Sequence, residues 1–264
     1  MDLAEAAPSE SVEICNRTGS GPLLLLCEHA SHEIPERYKG LGLDPAHALS
    51  HAAWDPGARA VALKLSHALN SPLVASRVSR LVYDCNRPPH SRGAMPERSE
   101  VVEVPGNRDL TPDQREERIA SVYRPFCDAV SRVLAERKAR GLSTLLVTVH
   151  SFTPVFHGKP REVELGILHD SDSRLADIIL AQADRLPHRN IQRNAPYTPE
   201  DEVTHSLKLH GIENGLLNVM IEMRNDLLRT PEEEAAMAEE LLQLIRPALA
   251  ALQPDTLPPG GNHA

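Results

Sequence analysis

Short continuous apolar runs alternate along this chain with longer stretches in which apolar positions recur every three or four residues. The runs 22–27 (PLLLLC), 143–150 (STLLVTVH) and 217–224 (LNVMIEMR) have strand length, and near-continuous apolar character predicts strands buried on both faces. Segment 163–169 (VELGILH) alternates well enough to be another strand, and 71–78 (SPLVASRV) and 80–84 (RLVYD) read as extended. Helical periodicity covers 55–70 behind an Asp-Pro start, 171–186, and 230–252 with acidic residues in its first turn. The stretch 111–141 has a Thr N-cap, Pro at the first helical position and a terminal Gly, with Pro125 as a possible kink.

This β-α-β-α order predicts an α/β protein whose mixed, largely parallel sheet is covered by helices. One domain over 21–252 is expected, between a polar flexible tail at 1–20 and a Pro- and Gly-rich disordered tail at 253–264. In open α/β sheets, ligands gather at the carboxyl ends of the strands. Here the run LLLLC ends in Glu28 and His29, TLLVTV ends in His150, and NVMI ends in Glu222 followed by Arg224. Three strands therefore each deliver a metal-ligand or acid/base residue to one edge of the sheet. A lone strand-end histidine is usually structural; two histidines and a carboxylate together point to a site.

Composition narrows the function classes. The 264 residues carry a formal net charge of −9, with Lys and Arg dispersed, which argues against nucleic acid or an anionic membrane as partner. No apolar run approaches the roughly 20 residues of a membrane span, and the acidic start lacks the apolar segment of a secretory signal. Cys15, Cys27, Cys85 and Cys127 show no CxxC spacing and read as free thiols in a reducing cytoplasm. Oligomeric state is left open.

A set of ordered motifs carries a family resemblance: CEHASHEIP (27–35), AAWDPGA (52–58), SRLVYDCNRP (79–88), VPGN (104–107), VHSFTP (149–154), NAPY (194–197) and IEMRNDLL (221–228). In this order they resemble the N-formylglutamate amidohydrolase family, zinc hydrolases related in fold to zinc carboxypeptidases. The resemblance implies a three-layer α/β/α sandwich of phosphorylase/hydrolase type, hydrolysis of the amide of an N-acyl amino acid, and one zinc ion bound by His29 and His150. The third ligand stays open. Asp55 is the first choice, although Asp before Pro is also a helix start; His32 and Glu28 are alternatives, and Glu28 has a further reading as a carboxylate that orients a ligand histidine.

Glu222 is the expected proton relay, and His210 a possible helper at the carbonyl or the leaving group. Arg80, Asn86, Arg87 and Arg224 are the expected substrate-binding residues, because Arg grips a free carboxylate bidentately; Arg161 is a further candidate. Arg80 and Arg87 reach one pocket only if the chain turns at NRPP. His47, His51 and His67 fall in helical segments and carry no functional reading. The leading expectation is a zinc amidohydrolase for N-formyl-L-glutamate. A hydrolase for another N-acyl amino acid or small peptide, a non-catalytic relative binding a small anion, and a thiol hydrolase using Cys27 or Cys85 are the alternatives.

Overall fold

Residues 10–252 are described by a computed structural model of the chain. In chain order the strands are β1 (Val12–Cys15), β2 (Leu23–Cys27), β3 (Leu73–Ser76), β4 (Arg98–Ser99), β5 (Val102–Glu103), β6 (Leu145–Phe152), β7 (Val155–Phe156), β8 (Lys159–Pro160), β9 (Leu165–Leu168), β10 (Ile191–Arg193) and β11 (Asn218–Arg224). The helices are α1 (Pro45–Ala48), α2 (Ala58–Ala68), α3 (Pro112–Arg118), α4 (Arg124–Ala139), α5 (Arg174–Leu180) and α6 (Pro231–Ala251). Seven strands form one sheet in the order β1-β3-β2-β6-β11-β9-β10, while β4-β5 and β7-β8 are separate hairpins. The central run β3-β2-β6-β11 is parallel; β1 and β9 join antiparallel, and β10 runs parallel to β9. The mixed, mostly parallel sheet is as expected.

Helices cover both faces, because alternate residues of each strand point to opposite sides. Leu23, Leu25 and Cys27 of β2, Leu145, Val147 and Val149 of β6, and Val219, Ile221 and Met223 of β11 pack against α2, α5 and α6 in one apolar cluster. Leu24, Leu26 and Leu146 face the other way, onto Phe126, Ala129, Val130 and Val133 of α4. Those α4 positions follow the three-and-four spacing of an amphipathic helix. Asn218 opens β11 on this second face, and farther along the strands the face turns polar, with Glu28, Thr148, His150 and Glu222 buried on it.

Three expectations are corrected. The flexible segment expected over 1–20 contains β1, an antiparallel edge strand paired with β3 from Val12↔Ser76 to Cys15↔Leu73; residues 1–9 and the tail at 253–264 lie outside the described residues. RLVYD is a series of turns rather than a strand. Ser79 Oγ accepts from the Leu81 amide and donates to the Ala53 carbonyl, while the Val82 amide bonds the Ser79 carbonyl. Such local side-chain bonds compete with strand pairing. The predicted helix over 111–141 is α3, a π-turn over Ile119–Tyr123, and α4. Pro125 lacks an amide hydrogen and its ring crowds the carbonyl four residues back, so the ladder widens just before it.

At the amino end of the sheet, the fully buried Arg137 binds the carbonyls of Gly21 at 2.7 Å and Ser143 at 2.9 Å and the Thr144 hydroxyl at 2.8 Å. It ties the loops that enter β2 and β6, fixing the register with which both strands deliver their carboxyl ends.

Candidate active site

The carboxyl ends of β2, β6 and β11 lie side by side, and His150 and Glu222 are direct partners across the parallel β6-β11 pair. His29 follows two residues after β2. The Asp55 amide donates to the His29 carbonyl at 2.9 Å, which fastens the loop before α2 against the end of β2. Gly57 caps α2 with φ +79°, a left-handed turn that a side chain would resist, and a Cβ there would meet the Leu228 side chain at 2.5 Å. This turn frees Asp55 from helix capping and points its carboxylate at the histidines.

Asp55 Oδ2 lies 3.1 Å from His29 Nδ1 and 3.0 Å from His150 Nδ1, and the two Nδ1 atoms are 3.3 Å apart. His29 Nε2 meets Asp84 Oδ1 at 2.7 Å; His150 Nε2 lies 3.2 Å from Glu28 Oε2, an ion-pair contact. Each ring therefore has a carboxylate on its outer nitrogen and turns the other nitrogen to Asp55. A carboxylate there fixes the tautomer of a ligand histidine and raises its basicity. His29, Asp55 and His150 form a group that could hold a metal ion. The donor set fits zinc: a tetrahedral ion with bonds of about 2.0–2.1 Å separates its ligand atoms by roughly 3.3 Å.

The electrostatics agree. Glu28, Asp55, Asp84 and Glu222 are four buried carboxylates, faced by Arg80, whose Nη1 lies 3.2 Å from Asp55 Oδ1. Burial opposes charge on His29, but the carboxylates of Asp84 and Asp55 outweigh it and raise its pKa. His150 is raised well above its usual value because Glu28 and Asp55 overcome the same burial. Asp55 is held well below the carboxylate range, burial being overridden by His29 and Arg80. Histidines that hold protons this firmly between carboxylates exchange them for a cation when one binds. Glu222 behaves differently: burial pushes it up to about 7, with His150 acting in the opposite sense, and its Oε2 has no hydrogen-bond partner among the described residues.

His29, Asp55, Asp84, His150 and Glu222 open into a cavity of about 290 Å³ that Arg80, Asn86, Arg87 and Tyr197 also line. Because 79–90 is a succession of turns, Arg80 and Arg87 reach one cavity. Arg80 uses Nε on the Ala52 carbonyl, Nη2 on the His51 carbonyl and Nη1 on Asp55, so it braces the Asp55 loop. Asn86 is held by the Val203 carbonyl and the Ser206 amide. Among the described residues the Arg87 guanidinium donates to its neighbour's carbonyl alone, at 3.0 Å, and keeps most of its donors for a ligand.

Other expected residues lie elsewhere. His32 stacks edge-on against Trp54 and pairs with Glu33, away from the Asp55 carboxylate. Glu28 takes the orienting position on His150 rather than a place in the triangle. His210 is buried in a π-turn over Leu207–Gly211 and does not line the cavity; burial pushes its pKa down to about 4. Arg224 is drawn out of the cleft by Asp226 at 2.8 Å and Glu164 at 3.7 Å. Cys27 and Cys85 are buried, and burial raises both thiols well above their usual range, which leaves no accessible thiolate there.

Two contributors escaped the sequence reading. Asp84 sits among turns, where a pairing with Arg87 is the more local expectation. His51 belongs to no helix; it lines the cavity with Nδ1 3.6 Å from Asp55 Oδ1, and burial pushes its pKa down to about 3. The Asp-Pro-Gly turn that follows it was the available signal. Tyr197 arrives on the NAPY loop, which can lie against β9 because Gly166 has no side chain: a Cβ there would meet the Ala195 carbonyl oxygen at 2.0 Å.

Comparison with known proteins agrees with this architecture. The structure of a gene product from Agrobacterium tumefaciens has 53% sequence identity and a TM-score of 0.90, over 92% of this chain and 96% of that one. The N-formylglutamate amidohydrolase of Ralstonia eutropha JMP134 shares the fold at 17% identity and a TM-score of 0.59, over 91% and 97% of the two chains. No curated protein sequence matches. The sequence model of a family described as N-formylglutamate amidohydrolase matches residues 21–229, a span that holds the histidines, the carboxylates, Arg80 and Arg87 of the cavity. The chain belongs to the N-formylglutamate amidohydrolase family, a family of hydrolases acting on amides.

Proposed function

We propose that this protein is a zinc-dependent amidohydrolase that cleaves N-formyl-L-glutamate to formate and glutamate. The observation that carries the reading is the meeting of His29 Nδ1, His150 Nδ1 and Asp55 Oδ2, 3.0–3.3 Å apart, beside an unpartnered Glu222. Family membership supports the amide as the bond broken.

Zinc held by His29, Asp55 and His150 would supply Lewis acidity, polarising the acyl carbonyl and acidifying a water molecule. Asp84 and Glu28 hold the outer ring nitrogens so that both Nδ1 atoms stay turned toward the point that Asp55 Oδ2 also faces, where their lone pairs would meet the ion. Glu222 accepts a proton from the attacking water and passes it to the amide nitrogen as the C–N bond breaks, so that the amine leaves neutral. Burial raises the Glu222 carboxyl above the usual carboxylate range, and a carboxyl shifted in that direction is a stronger base for this transfer. Arg87 grips the substrate carboxylate, while Arg80 keeps Asp55 in place. The proposed compartment is the cytoplasm, a reading supported by four free thiols.

Formate release from N-formyl-L-glutamate tests the reading, with protein stripped by a chelator and reloaded with zinc. Turnover is expected to vanish on stripping and return on reloading, and His150→Ala is expected to lose the bound equivalent of zinc. Full activity in chelator, or equal zinc content in wild type and His150→Ala, would overturn it.

A further inference from the structure

The cavity does not end at Arg87. A second compartment of about 480 Å³ adjoins it and shares Arg87, Phe156, Tyr197 and Val203 with it. Three cations line this compartment, Arg87, Lys159 and Arg161, against the single carboxylate of Asp201. Asp201 is already committed: its Oδ2 accepts from the Thr198 amide at 2.8 Å. None of the three cations has a carboxylate within ion-pair distance among the described residues.

Arg161 is the best built of them. Its guanidinium lies over the rings of Phe156 at 4.4 Å, Tyr197 at 4.8 Å and Phe152 at 5.5 Å from their centroids. Nη1 donates to the Tyr197 hydroxyl at 3.2 Å and the Thr153 carbonyl at 3.4 Å, while the Arg161 carbonyl accepts from Arg224 Nη1 at 3.1 Å. The side chain is thus held among three rings, with no hydrogen bond from Nε or Nη2 among the described residues. A guanidinium fixed in this way loses little freedom on meeting a carboxylate, which it grips with two parallel bonds.

Size points the same way. Pockets for small ligands run from about 300 to 1,000 Å³; the catalytic cavity alone is at the bottom of that range, and the two volumes together exceed what one N-formyl amino acid fills. We infer that the compartment walled by Arg87, Lys159 and Arg161 is a subsite for a second acidic residue, so that the substrate class extends to N-acyl peptides carrying two acidic residues. This inference rests on the amidohydrolase reading for the chemistry, but the binding preference stands on the compartment alone.

Calorimetry on the zinc-loaded protein, with glutamyl-glutamate and glutamyl-lysine as ligands, tests it. Wild type should bind the acidic dipeptide about tenfold tighter or more, and the exposed change Lys159→Glu should reduce that ratio to about threefold or less. Arg161→Gln should lower it as well, through weaker binding of the acidic ligand. Equal affinity for the two dipeptides in wild type, or a ratio unmoved by both substitutions, would overturn the subsite. Hydrolysis of N-formyl-L-glutamate is measured on the same preparation. The expected binding ratio without hydrolysis removes the N-formyl-L-glutamate reading and keeps the subsite; hydrolysis with equal binding does the reverse.

Discussion

The two faces of the central sheet are made by the same three strands and have opposite character. Toward α2, α5 and α6, β6 presents Leu145, Val147 and Val149, and β11 presents Val219, Ile221 and Met223. Toward α4 and the π-turn at Leu207–Gly211, β6 presents Leu146, Thr148 and His150, and β11 presents Asn218, Met220 and Glu222. The first face is apolar as far as Ser151 near the end of β6, whereas the second mixes Leu146 and Met220 with Asn218 and Thr148 and becomes ionisable at the carboxyl ends. Burial is equally deep on both, so the polar face carries a desolvation cost that the apolar face does not. The first face adds apolar burial alone, whereas the second joins an apolar cluster of its own to ionisable groups whose protonation is shifted by burial.

Substitutions that exploit this difference should separate the two roles. The largest effect is expected for Glu222→Gln, which keeps shape and burial but removes the proton relay. Turnover of N-formyl-L-glutamate should fall by about a hundredfold or more with zinc content unchanged, and metal analysis beside steady-state kinetics checks both halves. A mere few-fold loss would take Glu222 out of the relay.

On the apolar face, Leu25→Ala empties a site with no exposure. It should cost about 2–5 kcal/mol in denaturant unfolding while zinc binding by the folded protein persists. Loss of metal affinity without loss of stability would mean that the faces are not separable in this way.

His210 gives a smaller and pH-dependent contrast. Burial holds its folded-state pKa down at about 4, against about 6.5 for the unfolded chain. Below about 6.5 the unfolded state takes up the proton and the folded state does not, so stability falls as pH drops from there toward 4, by about 1.4 kcal/mol per unit for this one group. His210→Gln should flatten that part of the stability-pH curve, as read by urea unfolding at several pH values. An unchanged slope would show that His210 is already protonated in the fold.

The smallest effect is expected at Thr148, whose hydroxyl is buried on the polar face without a partner among the described residues. Thr148→Val removes an unsatisfied polar atom at nearly constant shape and should leave stability unchanged or raise it by about 1 kcal/mol. Destabilisation by more than that would reveal a partner for the hydroxyl in solution.

Much of this was legible in the sequence because strands encode their faces locally. The run LLLLC and the endings VTVH and VMIE fix which residues share a side, since the side-chain period of a strand is two. His29, His150 and Glu222 could be placed at one sheet edge on that basis alone. The same local logic misread RLVYD, whose apolar content suits a strand but whose Ser79 hydroxyl closes turns instead. It also put Arg224 in the cleft on the strength of sharing a strand face with Glu222, although Asp226 and Glu164 draw it away.

What the sequence by itself determined is the alternating sheet, the strand ends that carry the histidines and Glu222, and the family. The tertiary structure decided which carboxylate completes the triangle and which ones orient the rings. Asp55 lies 26 residues from His29 and 95 from His150, and Asp84 lies 55 from His29. All three distances in space are set by loops whose turns are fixed by hydrogen bonds to other segments, such as the Asp55 amide on the His29 carbonyl. Periodicity reports the direction of a side chain within its own element; it has no term for the path by which a distant loop returns, and that path is where this site is assembled.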